Sequence, residues 1–156
     1  MAIAITLKEF LDGRGVEYDV LQHAPTPTAS RAAQASHVPG DSLAKAVVLR
    51  RGGDFMLAVV PASCRVNLDR VEELMDERVA LATEDEIEGL FRDCDRGAVP
   101  PLGSAYGLEC IIDERLEKTR DIYFEAGDHA SLVHLTQAQF NDLTWDAYHG
   151  RIAARP

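Results

Sequence analysis

The feature that most constrains the fold is a pair of apolar, β-prone runs, residues 44–50 and 55–60, joined through Arg51, Gly52, Gly53 and Asp54. Runs of this length satisfy their backbone amides by pairing, and the glycines supply the conformations a tight reversal needs, so a hairpin is predicted. Its first strand carries an anomaly. Strand alternation puts Lys45 on one face with Val47 and Leu49. An ammonium aimed into an apolar face is costly unless it is paired or used. The structural alternative is a strand-end lysine that carries its charge out to solvent over its own stem.

Shorter elements surround the hairpin. Thr6 and Glu9 have the spacing of a capping box, with Leu7, Phe10 and Leu11 on one face, predicting a helix that ends near Gly13 or Gly15. Residues 16–21 alternate as a strand, a proline-containing turn occupies 24–27, and Thr28 caps an alanine-rich helix over 28–37 that Pro39 and Gly40 stop. Asn67 caps a helix through Met75, 79–82 is a short strand, and Thr83 with Glu86 opens a helix to about Asp93. Strands are predicted at 108–112, 122–125 and 131–135, and Thr136 with Gln139 opens a last helix. A hairpin and a meander in place of regular βαβ alternation predict an α+β fold, a largely antiparallel six- to seven-stranded sheet or open barrel flanked by short helices. Without a repeat or a linker, one domain over 1–156 is expected.

Charge narrows the function. The net charge is −10, which repels polyanions at long range and argues against a non-specific DNA or RNA binder. Its distribution is uneven: residues 1–68 carry net +1, residues 69–97 net −7 and the remainder net −4. Cys64, Cys94 and Cys110 are far apart and form no zinc-type cluster, so they are expected to be core thiols in a reducing, cytoplasmic setting. No apolar run reaches the roughly 18 residues of a membrane span, and no membrane, metal or cofactor is expected.

The second candidate feature is the loop Gly97, Ala98, Val99, Pro100, Pro101, Leu102, Gly103. Glycines allow close backbone approach and prolines stiffen the segment between them, a combination that suits amides presented to a small polar ligand or an oxyanion. Structural connections use the same residues. Ser104 stands one place too early for a nucleophile elbow, and His129 and His134, five apart, are not a helical zinc pair. His129 follows Ala126, Gly127 and Asp128 in a turn, where a side chain faces a pocket readily, and His23, before Ala24 and Pro25, is a candidate for the same mouth.

Taken together, the helix at 28–35, the lysine strand at 44–49, the Gly97-x-x-x-Pro101 loop continuing to Gly103, the strand ending at Asp113, and Ala126-Gly127 followed by 131–135 resemble the YbaK-like family of trans-editing aminoacyl-tRNA deacylases, related to the editing domain of bacterial prolyl-tRNA synthetases. The resemblance implies that fold, and hydrolysis of the ester joining a wrong amino acid to the 3′ end of a tRNA. It implies mischarged tRNA as substrate, with an aminoacyl-tRNA synthetase as a further candidate partner. Carried over, Lys45 is the main functional side chain and holds the terminal adenosine or its phosphate, with the ester near it, in a pocket formed by the lysine strand and the Gly97-x-x-x-Pro101 loop. Gly97 and Pro101 shape the pocket and offer amides to the carbonyl. His129 orients water or the amino group. Thr28, Ala46, Val99, Gly103, Gly127, Asp128 and His23 line the substrate site. No side-chain nucleophile is required, because water can attack an activated ester with help from the tRNA's vicinal hydroxyl. The chain departs from the family at Ala46, where threonine often follows the lysine. That missing hydroxyl keeps open a second class of function, a non-catalytic module that binds tRNA or an amino acid in the same pocket. An acidic protein-interaction face over 69–97 is a third and weaker reading, since such faces are ordinarily solvated surface.

Overall fold

A computed structural model describes residues 3–155. In chain order the elements are α1 (Ile5–Gly13), β1 (Asp19–Gln22), α2 (Ala29–Ala35), β2 (Ala44–Arg51), β3 (Asp54–Pro61), β4 (Arg65–Val66), α3 (Leu68–Met75), β5 (Ala80–Leu81), α4 (Glu84–Leu90), β6 (Glu109–Asp113), β7 (Asp121–Glu125), β8 (Ser131–Thr136), α5 (Gln137–Leu143), β9 (Tyr148–Gly150) and β10 (Ala153–Ala154). The fold is α+β, as the sequence predicts, and its sheets are open.

The predicted hairpin forms in register, with Lys45 opposite Val60 and Arg51 opposite Asp54. It is the heart of a sheet ordered β5-β2-β3-β6-β9, while β1, β8 and β7 make a second, antiparallel sheet and β4 pairs with β10. A bridge between Leu43 and Tyr123 links the start of β2 to β7. The predicted meander does not form. β6 lies parallel to β3, β7 joins β8 in the other sheet, and the 3-10 turn Glu114–Lys118 carries the chain between them. The physical cause is β3, which is buried from Met56 to Pro61. A strand buried on both faces needs a partner on each edge, and β6 supplies the second.

Burial on either side of that sheet builds two separate cores. Leu7, Leu11, Leu57, Val59, Ile112, Phe124, Val133 and Phe140 join α1 and α5 to both sheets. On the other face Leu49, Met56, Val60, Val71, Ile111 and Ile152 pack beneath α3. A smaller group, Ala29, Ala32, Ala33, Leu43 and Leu132, seats α2. Each fully buried side chain of leucine size contributes about 1.5–3 kcal/mol. Cys64 and Cys110 are buried free thiols and Cys94 is partly buried.

Most predicted caps form: Thr28 accepts from the Arg31 amide, Asn67 from Arg70, and both later capping boxes close reciprocally. The first does not. Helix α1 starts after Ala4 with no side-chain cap of its own, and the Thr6 amide donates to Asp93 Oδ2 at 2.8 Å. Burial alone would push the Asp93 carboxyl up, but hydrogen bonds from Thr6 and the Tyr106 hydroxyl outweigh it and hold it below its ordinary value. A partner 87 residues away thus does the work predicted for Thr6, a tertiary cap that local spacing does not reveal. Asp93→Ala is expected to cost about 1–2 kcal/mol, the usual worth of a cap, and Thr6→Ala under about 0.5 kcal/mol, as for an ordinary surface change. Urea unfolding followed by circular dichroism checks this, and equal costs would return the cap to Thr6.

Candidate functional site

Lys45 is the second residue of β2. Its neighbours Ala44, Ala46 and Val48 belong to the main core, so alternation sends Lys45 out of the opposite face, beside Val47 and Leu49, which pack with the α3 side. After β3 the chain turns through residues 62–64, with the Cys64 amide donating to the Pro61 carbonyl at 2.9 Å. That turn places the Cys64 carbonyl 2.7 Å from Lys45 Nζ. The amine is half-buried; burial lowers its pKa from the ordinary value, and the nearby Arg65 adds to the effect.

The Gly97 loop has two ends of different character. Pro100, Pro101, Leu102 and Gly103 are buried. A Cβ at Gly103 would lie 2.5 Å from the Leu108 carbonyl oxygen and from Cys110 Sγ, and the Cys110 thiol donates to the Pro101 carbonyl. These residues anchor the loop. At the other end Gly97 is exposed with φ +78°, a conformation L side chains rarely adopt. Val99 packs half-buried against the main core. Among the described residues, the amides of Gly97 and Val99 donate to no protein group.

A second turn, residues 126–130, holds that exposed end. Gly127 has φ +105°, and a Cβ there would meet Ala4 Cβ at 2.7 Å. Its carbonyl accepts from the Asp95 amide at 2.8 Å. Buried Asp128 is occupied within its own turn, accepting from the Ala130 amide at 3.0 Å and the Ser131 hydroxyl at 3.3 Å. His129 Nε2 donates to the Arg96 carbonyl, and its ring sits where a Cβ on Gly97 would be 3.3 Å from Cε1. The other ring nitrogen, Nδ1, lies 3.4 Å from Glu125 Oε1. Glu125 is only 4% exposed. Burial pushes its carboxyl up to about 7, with His129 pulling the other way. Both facing atoms are buried and have no further hydrogen-bond partner, so one proton between them satisfies the pair.

The structure therefore brings Gly97, Gly127, Asp128 and His129 together. It also brings His23, whose amide donates to the Ala130 carbonyl at 2.9 Å and whose ring bonds the Ala24 carbonyl. The Thr26 amide donates to the His129 carbonyl at 3.0 Å, but the Thr28 hydroxyl, two residues on, is taken by its cap. The hydrogen bond of Lys45 goes to a different group, the Cys64 turn. Glu125 is the residue sequence reasoning misses. Its signal is faint: an acid closing an apolar strand, four positions before a histidine. Among the described residues, no three His, Cys, Asp or Glu side chains are placed to hold a metal, and no helix is long and apolar enough to cross a membrane. A cavity behind the anchored end of the loop, between Gly103, Leu108, Thr144 and Ala147, encloses about 60 Å³. Ligand pockets enclose roughly 300–1,000 Å³, so it is packing space.

Comparison with known proteins gives the arrangement its relatives. A search of curated proteins finds no match. Among solved structures, the hypothetical protein APE2540 superposes with a TM-score of 0.84 at 23% identity, over 96% of this chain and 99% of that one, which shows the fold. A proposed trans-editing enzyme for prolyl tRNA synthetase superposes with a TM-score of 0.85 at 25% identity, over 97% of this chain and 96% of its own. The sequence matches the aminoacyl-tRNA editing domain over residues 23–143, a span that holds β2, the Gly97 loop and the His129 turn. With most of its length inside that match, the chain belongs to the aminoacyl-tRNA editing domain family.

Proposed function

We propose that the protein is a free-standing deacylase that hydrolyses the ester of a mischarged tRNA. The observation that carries this reading is the pair of Gly97 and Val99 amides, which among the described residues donate to no protein group, in a loop fixed at both ends. Preorganised donors of this kind stabilise the oxyanion that forms when water adds to an ester carbonyl, an effect worth about 3–4 kcal/mol per donor in acyl transfer. The water oxygen bonds to the carbonyl carbon, the bond to the ribose oxygen breaks, and the water's proton ends on that oxygen, relayed by the vicinal hydroxyl of the tRNA. Amino acid and intact tRNA leave.

In this scheme His129 is a positioning residue. Both its ring nitrogens are engaged, so it acts by pinning the Arg96 carbonyl and the turn that follows, while Glu125 fixes which nitrogen carries the proton. Lys45 holds the terminal adenosine or its phosphate. Ala46 and Val99 both pack against the main core, and an apolar wall of small side chains selects the amino acid by size, a discrimination of about 1–3 kcal/mol per methylene. The synthetase that makes the error is the natural neighbour, because its product is this substrate.

A panel of alanyl-, cysteinyl-, seryl- and threonyl-tRNAs tests the reading. Wild type is expected to deacylate at least one. Lys45→Ala is expected to raise KM about tenfold or more, since one lost charged contact is worth about 1.5–3 kcal/mol. His129→Ala is expected to lower kcat by at least about tenfold, the loss of a preorganised loop. No turnover across a full panel overturns the proposal, and tight Lys45-dependent binding without hydrolysis favours the binding module. Glu125 gives a test by pH. Its carboxyl is raised in the folded state from 4.5 to about 7, so its contribution to stability is complete below the lower value and lost as pH rises through the upper one. The unfolding free energy of wild type should therefore fall relative to Glu125→Gln between those values, measured by urea denaturation across a pH series. Parallel curves would show that Glu125 does not titrate there.

A further inference from the structure

The Cys64 turn holds more than Lys45. Arg115, from the 3-10 turn after β6, places Nη1 3.2 Å from Cys64 Sγ and 3.5 Å from the Ala153 carbonyl. Lys45 and Arg115 thus flank a single residue. Beside Arg115 opens a cleft of about 250 Å³ lined by Asp113, Glu114, Arg115, Lys118, Arg151 and Ala153.

Its two acids do not cancel its three cations. Asp113 is buried and its carboxylate is spent on backbone, accepting from the Ile152, Ala153 and Arg115 amides at 2.9 Å each. Glu114 pairs with Arg151 at 3.2 Å. Both are solvent-exposed, Arg151 81% so, and such pairs are worth little and exchange readily. Among the described residues, Lys118, Arg115 and the neighbouring Arg65 make no ion pair with a carboxylate. In a chain of net charge −10 this is a local, concave excess of positive charge, assembled from β6 and its following turn together with the chain between β9 and β10.

We propose that this cleft binds phosphodiester groups of an RNA strand, taking the backbone just upstream of the 3′ nucleotide held by Lys45. The identity of that RNA rests on the deacylase reading; the anion chemistry of the cleft does not. A guanidinium fork matches two phosphate oxygens at once, and Lys118 adds a mobile point charge. Binding through two or three phosphates is weak and salt-sensitive, which lets the enzyme release each tRNA after one turnover.

The test uses the full chain and an uncharged RNA hairpin that copies a tRNA acceptor stem with its single-stranded 3′ end, titrated by fluorescence anisotropy across a salt series. Lys118→Ala and Arg151→Ala are each expected to weaken binding about 3- to 10-fold at low salt and to reduce the slope of log K against log salt by about 1. Arg78→Ala, an exposed cation in the acidic segment, should change neither. Undetectable wild-type binding, unchanged affinity and slope in both cleft variants, or an equal loss in Arg78→Ala would overturn the proposal. A parallel arm uses inorganic phosphate and AMP. Cleft-dependent binding of these, with RNA binding independent of Lys118 and Arg151, would make the cleft a small-anion site and overturn the RNA assignment. Because the RNA carries no amino acid, failure of the deacylase reading leaves this result interpretable. If both stand, the cleft variants should raise KM for aminoacyl-tRNA and leave kcat unchanged.

Discussion

Burial of β3 on both faces and along both edges is the constraint from which the rest of the molecule follows. Its apolar run has to be covered by α1 and α5 on one side and α3 on the other, and its free edge has to be paired, which draws β6 in parallel and β9 after it. The partner β2 then inherits two faces with different surroundings. Ala44, Ala46 and Val48 enter the main core, whereas Lys45 emerges where the chain leaves β3 and folds back through Cys64. The position of the lysine is a consequence of sheet coverage.

This partition gives the proposed site two chemical sides. On one, a loop anchored by Pro101 and Gly103 presents backbone amides, and the Glu125–His129 pair holds its exposed end. On the other, Lys45, the Cys64 turn and Arg115 begin a positive surface. A neutral, amide-lined side suits an ester carbonyl and a cationic side suits a phosphodiester, and the 3′ end of an aminoacylated RNA carries both groups within one nucleotide.

Much of the secondary structure was legible because it is set locally. The hairpin follows from two apolar runs and a glycine turn, and four of five helix caps follow from a polar side chain three residues from an amide. The exceptions share a cause. The α1 cap comes from Asp93, β6 pairs with a strand about 50 positions earlier, and β9 and β10, three and two residues long, exist only because β6 and β4 offer edges. None of these leaves a periodic trace in the sequence. The site behaves likewise. Gly97, Gly127 and His129 could be singled out by residue type and turn context, but Glu125 reads as the end of an apolar strand until the fold buries it against the imidazole.

Charge shows the division most clearly. The sequence by itself determined that the chain is acidic overall, that its first 68 residues are the least so, and that Lys45 sits at an apolar strand. Only the tertiary structure decided where these cations gather, because it lifts Arg115, Lys118 and Arg151 out of the net-acidic C-terminal third and sets them around one cleft, from which Arg115 reaches the Cys64 turn. The reason is range. Local order reports interactions over a few residues, whereas screened electrostatics acts over about 10 Å of space, a distance that the fold, and not the chain, defines.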